Sequence, residues 1–210
     1  MKIIDLEKLL PADVPAGERI LWHGRPRAFG LARRAFRGDL VAVWFGLMVL
    51  WNGLSGVYDA GWQHGAIEAA RTLATGIASL ALVGLLGWLS ARTTLYVVTS
   101  RRVVLKAGIA LPVFFNIPFA EIVAADLRVH ADGTGDIALG LTPGRRIAYL
   151  HLWPHAKPFV FRAPRPMLRC IAHPGAVADQ LARALAVAPA GPAETMPRPA
   201  NAATGDLVAA

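Results

Sequence analysis

The stretch LYVVTSRRVVLKAGIALPVFFNIPFAEI, residues 95–122, decides how the rest of the chain is interpreted. It is apolar enough that one membrane span over 103–122 has to be weighed. Its Val, Phe and Ile residues, however, occur in short runs interrupted by Gly108, Pro112 and Pro118. Such runs between glycine and proline are typical of strands rather than of one long helix. We therefore predict strands here, with a third span as the alternative.

The downstream sequence continues the strand pattern and ends in a helix. Val177, Leu181 and Leu185 recur at spacings of four after Pro174, which predicts a last helix over 174–186. We expect an α+β membrane protein whose carboxyl part is a half-open β-barrel of short strands capped by that helix. Residues 187–210 are rich in Ala and Pro and predict a disordered tail. The strand candidates are 94–99, 102–107, 113–117, 121–130, 135–141 and 146–152.

The upstream sequence contains two long apolar stretches. Hydrophobic residues make up 55% of the 210-residue chain and charged residues 17%, which disfavours an ordinary soluble enzyme. Residues 40–58 and 72–91 are each close to the 20 or so helical residues that cross a bilayer. They predict a transmembrane hairpin over 40–92, joined by a short loop at 59–71. Alternation of Ile20 and Trp22 predicts a possible first strand at 18–24, which would make the hairpin an insertion into the sheet domain.

The positive charge, +8 in total, is placed around the apolar stretches. No basic stripe interleaved with aromatic residues is present, so we expect no nucleic acid as a partner and expect membrane lipid instead. The basic residues flank the outer ends of the spans, which predicts that both termini, the segment 1–39 and the domain 93–186 are cytoplasmic and that the hairpin loop is periplasmic. The candidate contacts to the membrane surface or a partner are Arg33, Arg34, Arg37, Arg92, Arg101, Arg102 and Lys106.

Small and hydroxyl-bearing residues within the spans predict close helix packing. Such residues let helices approach and hydrogen-bond across the contact. The partner helix is either the other span or a helix of another protein, and a homodimer is a further alternative. The candidate helix-packing residues are Asn52, Gly56, Thr72, Thr75, Gly76 and Ser79.

Chemistry-bearing residues form no pattern that is specific for catalysis, a metal or a cofactor. None of the six histidines lies within a predicted span, so none is placed to ligate a pigment there. His151 and His155 are four apart, but Pro154 between them favours a strand end and a turn over a metal-binding helix. The segment 132–136, DGTGD, favours an Asx-type turn over a calcium loop, because the later ligands are missing. We expect no enzyme activity, no metal and no cofactor.

Several segments together resemble a known family. GERILWHGRP at 17–26 is similar to the lead-in of membrane-anchored bacterial PH-like domains. The positions that match the pattern of those domains are Tyr96, Thr99, Arg101, Arg102, Gly108, Pro118 and Ile122. More specifically, LWHGRPRAFGLARRAF, DGTGDIAL, LWPHAKPF and PRPMLR resemble the PuhB family of photosynthetic complex assembly proteins of purple bacteria.

The resemblance implies a non-enzymatic assembly factor in the photosynthetic inner membrane, with reaction-centre and core antenna polypeptides as its partners. It covers residues 15–186 in order, and the positions at both ends of the chain carry none of it. A general membrane-anchored PH-like protein that binds anionic lipid or envelope partners is the alternative.

Overall fold

The computed structural model describes residues 17–109, 111–142, 149–158, 160 and 164–187. Within them, a helical hairpin is attached to two antiparallel sheets and a C-terminal helix. In chain order the elements are β1 (Ile20–Gly24), α1 (Ala28–Arg34), α2 (Gly38–Ala60), α3 (Trp62–Thr93), β2 (Leu95–Thr99), β3 (Arg102–Ala107), β4 (Val113–Pro118), a 3-10 turn (Phe119–Glu121), β5 (Ile122–Val129), β6 (Thr134–Leu141), α4 (Tyr149–Leu152), β7 (Met167–Ala172) and α5 (Pro174–Val187).

The strands form two sheets, in the orders β1-β2-β3-β4 and β5-β6-β7. This corrects the expected barrel, because the described strands form no closed hydrogen-bonded ring. The chain changes sheets at the 3-10 turn Phe119–Glu121, where the Phe119 N–H donates to the Arg101 carbonyl at 3.0 Å. A turn at this point ends the ladder of β4, so β5 begins a new sheet.

The main core lies between the two sheets and α5. Tyr96 and Val98 of β2 pack there with Ile137 of β6 and with Leu181 of α5, and all four are buried. The alternate residues Leu95 and Val97 pack on the other face of β2 in a second cluster. Because side chains of a strand alternate between faces, β2 is buried on both sides and is a central structural strand.

The hairpin interrupts the first sheet. β1 pairs with β2 in antiparallel register, with Gly24 opposite Tyr96, although α1, α2 and α3 separate the two strands in sequence. The strand predicted at 18–24 is therefore present. The sheet thus holds both ends of the hairpin region together.

The expected loop at 59–71 is wrong. Only Gly61, with a φ of 86°, separates α2 from α3. Residues 62–71 are more polar than the apolar span, but they contain good helix formers and a Glu68–Arg71 ion pair of 2.8 Å at a spacing of three. Helix α3 therefore continues to the hairpin tip, and its 32 residues extend for about 48 Å.

Other segments also differ from the sequence predictions. The stretch 103–122 forms β3, β4 and the 3-10 turn, so no third long helix is present there. Part of the strand predicted at 146–152 is the short helix α4, and β7 and α1 had no sequence prediction. The N-terminal residues 1–16, the segment 143–148 and the predicted tail beyond Val187 lie outside the described residues.

Candidate functional site

Helix α1 joins the hairpin to the sheets. A Cβ atom at Gly30 would lie 2.8 Å from the Cys170 sulfur on β7, and one at Gly87 on α3 would lie 2.7 Å from Ala32. The Arg27 backbone N–H also donates to the Cys170 carbonyl at 3.0 Å. Because neither glycine has room for a side chain, α1 is in close contact with β7 on one side and with α3 on the other.

An open cleft of about 540 Å³ lies where α1, the start of α2 and the β5-β6-β7 sheet meet. Leu40 and Val43, in the first turns of α2, provide exposed apolar surface on its wall. Asp39 and Asp136 are its two acidic residues. We call this site the arginine cleft, because its basic residues are Arg33, Arg34, Arg37, Arg128, His130 and Arg169. Five guanidinium groups against two carboxylates give the cleft a positive charge.

Two of these arginines are held by ion pairs. The Arg33 Nε donates to both carboxylate oxygens of Asp39, at 2.9 and 2.7 Å. The Arg34 guanidinium donates to Asp132 at 2.9 Å and to the Thr134 hydroxyl at 3.2 Å. The hydrogen bonds of Arg34 join α1 to the β5–β6 turn, about 100 residues away in sequence, and so help to fix one wall of the cleft.

The β5–β6 turn is an Asx-type turn, as the sequence predicts. One oxygen of Asp132 accepts hydrogen bonds from the Thr134 hydroxyl at 2.7 Å and from its backbone N–H at 3.1 Å. These hydrogen bonds and the Arg34 guanidinium hold the pKa of Asp132 well below its usual range. Among the described residues, no group of three or more His, Cys, Asp and Glu side chains is placed to hold a metal ion.

The floor of the cleft contains buried polar groups. Asp136 accepts a hydrogen bond from the Cys170 N–H at 2.8 Å and lies 3.1 Å from the His130 Nε2. Arg169, only 6% exposed, donates to the carbonyls of Pro154 at 2.9 Å and Arg34 at 3.4 Å. Its Nε–H has no hydrogen-bond acceptor among the described residues. The cleft thus contains a guanidinium that two backbone carbonyls hold in place.

Behind the cleft lies a buried cluster that the sequence did not predict. His155 is fully buried; its Nδ1 lies 2.8 Å from the Tyr96 hydroxyl and its Nε2 lies 3.0 Å from the Thr94 hydroxyl. The Tyr96 hydroxyl also accepts a hydrogen bond from the backbone N–H of Arg169 at 3.2 Å. Burial, with the positive charge of Arg169, lowers the pKa of His155 to about 3.

This cluster connects the end of α3 to the core, and its histidine is neutral at ordinary pH. The turn expected at His155 is present, but the expected strand end is wrong because the short helix α4 precedes the turn, and the burial of His155 was not predicted. Cys170 is also buried, and burial raises the pKa of its thiol to about 11. Neither group is therefore presented to a solvent-borne substrate as a base or nucleophile.

Two of the predicted surface contacts lie beside the end of the hairpin. Arg92 lies over the Trp88 ring at 4.8 Å, and Lys106 lies over the Phe114 ring at 5.3 Å. Lys106 is opposite Leu95, which directly follows the end of α3. Together with the arginine cleft, these residues form a positive zone at this end of the hairpin.

The other two predicted contacts, Arg101 and Arg102, lie elsewhere. They follow Thr99, at the end of β2 opposite to the end that joins α3. Arg102 forms a bidentate ion pair with the buried Glu18, at 2.8 and 3.1 Å from its Nε. Burial raises the pKa of Glu18, but hydrogen bonds from Arg102 and Thr99 outweigh it and the net shift is downward. Arg101 and Arg102 therefore do not belong to the positive zone at the hairpin, and Arg102 has a structural role.

Most of the candidate helix-packing residues contact the other helix of the hairpin. The Asn52 amide donates to the Thr72 hydroxyl at 2.9 Å. A Cβ at Gly56 would lie 2.8 Å from the Gly65 Cα, and one at Gly76 would lie 2.9 Å from Phe45. These positions allow α2 and α3 to approach closely.

Thr75 and Ser79 are different. Their hydroxyls donate to carbonyls of their own helix, those of Arg71 and Thr75, at 3.0 and 2.9 Å. The Thr75 side chain is exposed, whereas that of Ser79 is half-buried. Thr75 therefore remains available to a helix outside this chain.

Comparisons with known proteins agree with this architecture. The profile of the family described as "Bacterial PH domain" matches residues 40–185, a range that includes α2 except for its first two residues, all of α3 and the strands from β2 onward. The chain is 36% identical over 182 residues to an "Uncharacterized 23.7 kDa protein in puhA 5'region" from Rhodobacter capsulatus; the match covers 85% of this chain and 83% of the relative. No solved structure matches the chain.

Proposed function

Since the chain belongs to the bacterial PH domain family, we propose that it is a membrane-anchored scaffold that assists assembly of the photosynthetic reaction centre and its core light-harvesting complex. The anchor is the α2–α3 hairpin, and the scaffold consists of the two sheets and α5. No bond is made or broken in this role. The protein holds other polypeptides near one another.

The observation that carries the anchor is the exposure of the hairpin. Only 6% of the most apolar part of α2 and 11% of that of α3 is buried. Large side chains such as Trp44, Leu47, Leu54 and Ile77 are more than half exposed. An apolar surface of this extent is unfavourable in water and favourable in a lipid bilayer, and the core helix of a soluble domain would be buried instead.

The charge distribution supports an orientation with the sheets on the cytoplasmic side. Basic residues of α1, of the arginine cleft and of the end of α3 lie at one end of the hairpin, whereas Arg71 is nearer the other end. Positively charged flanks remain in the cytoplasm. Both termini would then be cytoplasmic, and the membrane would be the bacterial inner membrane, including its photosynthetic intracytoplasmic form.

The link to photosynthesis rests on two observations. The relative from R. capsulatus is named for its place in the puhA 5' region. The segments quoted above, among them LWHGRPRAFGLARRAF, resemble the PuhB family of assembly factors. The partners proposed are therefore reaction-centre and core antenna polypeptides, together with membrane lipid.

Partner helices would contact the outer face of α3. Thr75 offers a small, hydroxyl-bearing and exposed surface there, whereas Asn52 and Gly56 are already occupied within the hairpin. A scaffold that holds two newly inserted helices together raises their effective concentration and speeds their association. A second copy of the chain could use the same face, which would give a homodimer.

The test is a deletion strain of a phototrophic host, complemented with the full chain or with the variant Thr75→Leu. The variant should lower the yield of core complex, measured by near-infrared absorbance of membranes, because a bulkier side chain prevents close helix approach. The control Leu82→Ile keeps an apolar side chain on the same helix. A deletion strain that yields as much core complex as the strain with the full chain would refute the assembly role. Crosslinking and mass spectrometry would identify the polypeptides contacted.

The alternative is a general envelope protein of the same architecture that binds anionic lipid. Its supporting observation is the arginine cleft, which does not depend on photosynthetic partners. Growth conditions separate the two roles. An assembly factor is required only for phototrophic growth, whereas an envelope protein should be required in respiring cells too.

A further inference from the structure

We infer that the arginine cleft binds the phosphate group of an anionic phospholipid from the leaflet around the hairpin. This inference depends on the membrane anchoring proposed above, but it does not depend on the photosynthetic partners. The ligand chemistry is a phosphate ester with net negative charge and attached acyl chains. Three features of the cleft support it.

The first feature is charge. Arg33, Arg34, Arg37, Arg128 and Arg169 line the cleft against two carboxylates, Asp39 and Asp136. Asp39 is already paired with Arg33, Asp132 is paired with Arg34, and Asp136 already accepts from a backbone N–H, so the other arginines carry the net positive charge. Guanidinium groups match the oxygens of phosphate in geometry as well as in charge. The remaining positive charge therefore favours an anion.

The second feature is a guanidinium at a fixed position. Arg169 is 94% buried and two of its nitrogens donate to backbone carbonyls, which fixes the guanidinium plane. A guanidinium whose position is already fixed loses little side-chain entropy when it attracts an anion.

The third feature is the apolar side of the same cleft. Leu40 and Val43 line it, and they are 64% and 60% exposed. They begin the apolar surface of α2, so a ligand with its phosphate at the arginines could place its acyl chains along this helix. A free phosphate would gain nothing from this surface. The cleft thus matches an amphipathic ligand better than a small soluble one.

The experiment titrates the full chain, purified in detergent, with phosphatidylglycerol, phosphatidylcholine or glycerol 3-phosphate, and counts bound ligand by native mass spectrometry. Two double variants are compared. Arg37→Asn/Arg128→Gln removes two charges of the cleft, and Arg37→Asn retains a residue that tolerates the positive φ of 58°. Arg92→Gln/Lys106→Gln removes two charges at the same end of the hairpin but outside the cleft.

The wild-type chain should retain phosphatidylglycerol in preference to phosphatidylcholine. The cleft variant should bind it roughly 25-fold more weakly, about fivefold per arginine, which corresponds to about 1 kcal/mol for each charge. The outer variant should bind it nearly as well as wild type. If the double cleft variant fails to fold, Arg128→Gln alone, at an exposed position of β5, should give the fivefold loss.

Equal weakening by the two double variants would overturn the site, because it would show only general attraction to the anion. Equal retention of the two lipids would also overturn it. Glycerol 3-phosphate that binds as tightly as phosphatidylglycerol would overturn the lipid source and indicate a soluble ester. These binding results require no photosynthetic partner, so they can fail while the assembly role stands, and an unchanged core-complex yield can refute the assembly role while the cleft stands.

Discussion

Lowering the pH from 7.5 to 5 should destabilise the protein through one residue, His155. In the folded protein its ring is enclosed between Thr94 and Tyr96, and burial with the nearby charge of Arg169 lowers its pKa to about 3. In the unfolded chain a histidine has its ordinary pKa of about 6.5. As the pH falls below 6.5, the unfolded state therefore binds a proton that the folded state cannot bind.

The size of the effect follows from this difference. The contribution of His155 to stability is fully present above pH 6.5 and is lost progressively as the pH falls towards 3. At pH 5 the unfolded histidine is about 1.5 pH units below its pKa, which costs the folded state about 2 kcal/mol. For a chain of this length that corresponds to a decrease of about 4–8 °C in Tm. Most carboxylates are still ionised at pH 5, so their titration contributes little in this window.

The assay is thermal unfolding of the full chain in detergent, followed by tryptophan fluorescence at pH 7.5 and pH 5. The variant His155→Gln has no titrating ring and should be less stable at pH 7.5 but should lose this part of the pH dependence. The control His64→Gln changes an exposed histidine at the hairpin tip and should retain the wild-type decrease. A decrease of the same size in His155→Gln as in wild type would refute the reasoning.

Three further predictions concern packing, an ion pair and a thiol. Gly56→Ala should destabilise the hairpin by about 1–3 kcal/mol in thermal unfolding, because the added Cβ would lie 2.8 Å from the Gly65 backbone. The control Gly46→Ala on the same helix should be neutral or slightly stabilising, because the space around Gly46 is open. Glu18→Gln should cost about 2 kcal/mol in the same assay by breaking its charged hydrogen bonds. The cost should shrink as the pH falls below the ordinary pKa of glutamate, about 4.3, because the unfolded chain then binds a proton more readily than the folded carboxylate, whose pKa is lowered. The Cys170 thiol, with its raised pKa of about 11, should react with iodoacetamide at pH 8 at least about 100-fold more slowly in the folded than in the unfolded chain. Mass spectrometry of the alkylated chain measures both rates, and equal rates would contradict the burial of the thiol.

The sequence predicted the elements whose signal is local. The apolar runs at 40–58 and 72–91 lie within α2 and α3, and the runs at 102–107 and 113–117 lie within β3 and β4. It failed where the local signal was weak or misleading. The polar residues 62–71 were predicted to form part of a loop, yet α3 continues through them because of their helix propensity and the Glu68–Arg71 ion pair.

The missed elements depend on distant contacts. The short helix α1 is held between Cys170 of β7 and Gly87 of α3, far apart in sequence. Strand β7 follows a proline-rich segment and gains its place by pairing with β6, for example Leu168 opposite Ile137. Neither pattern is visible in the residues of the element alone.

The candidate site shows the same division. Arg33, Arg34 and Arg37 were singled out because they precede an apolar span, and they do line the cleft. Arg128 and Arg169 join them only because the β5-β6-β7 sheet packs beside α1. Arg102 was grouped with the membrane contacts, but the register of β1 and β2 brings it next to Glu18 instead.

The sequence by itself determined the two long apolar helices, the succession of short strands and the helix at the end, because hydrophobic periodicity and turn residues act over a few neighbouring positions. Only the tertiary structure decided that the strands form two sheets, that the hairpin is inserted between paired strands, that His155 is buried and that five arginines meet in one cleft. Each of these depends on which distant surfaces exclude water together, and no short stretch of sequence contains that information.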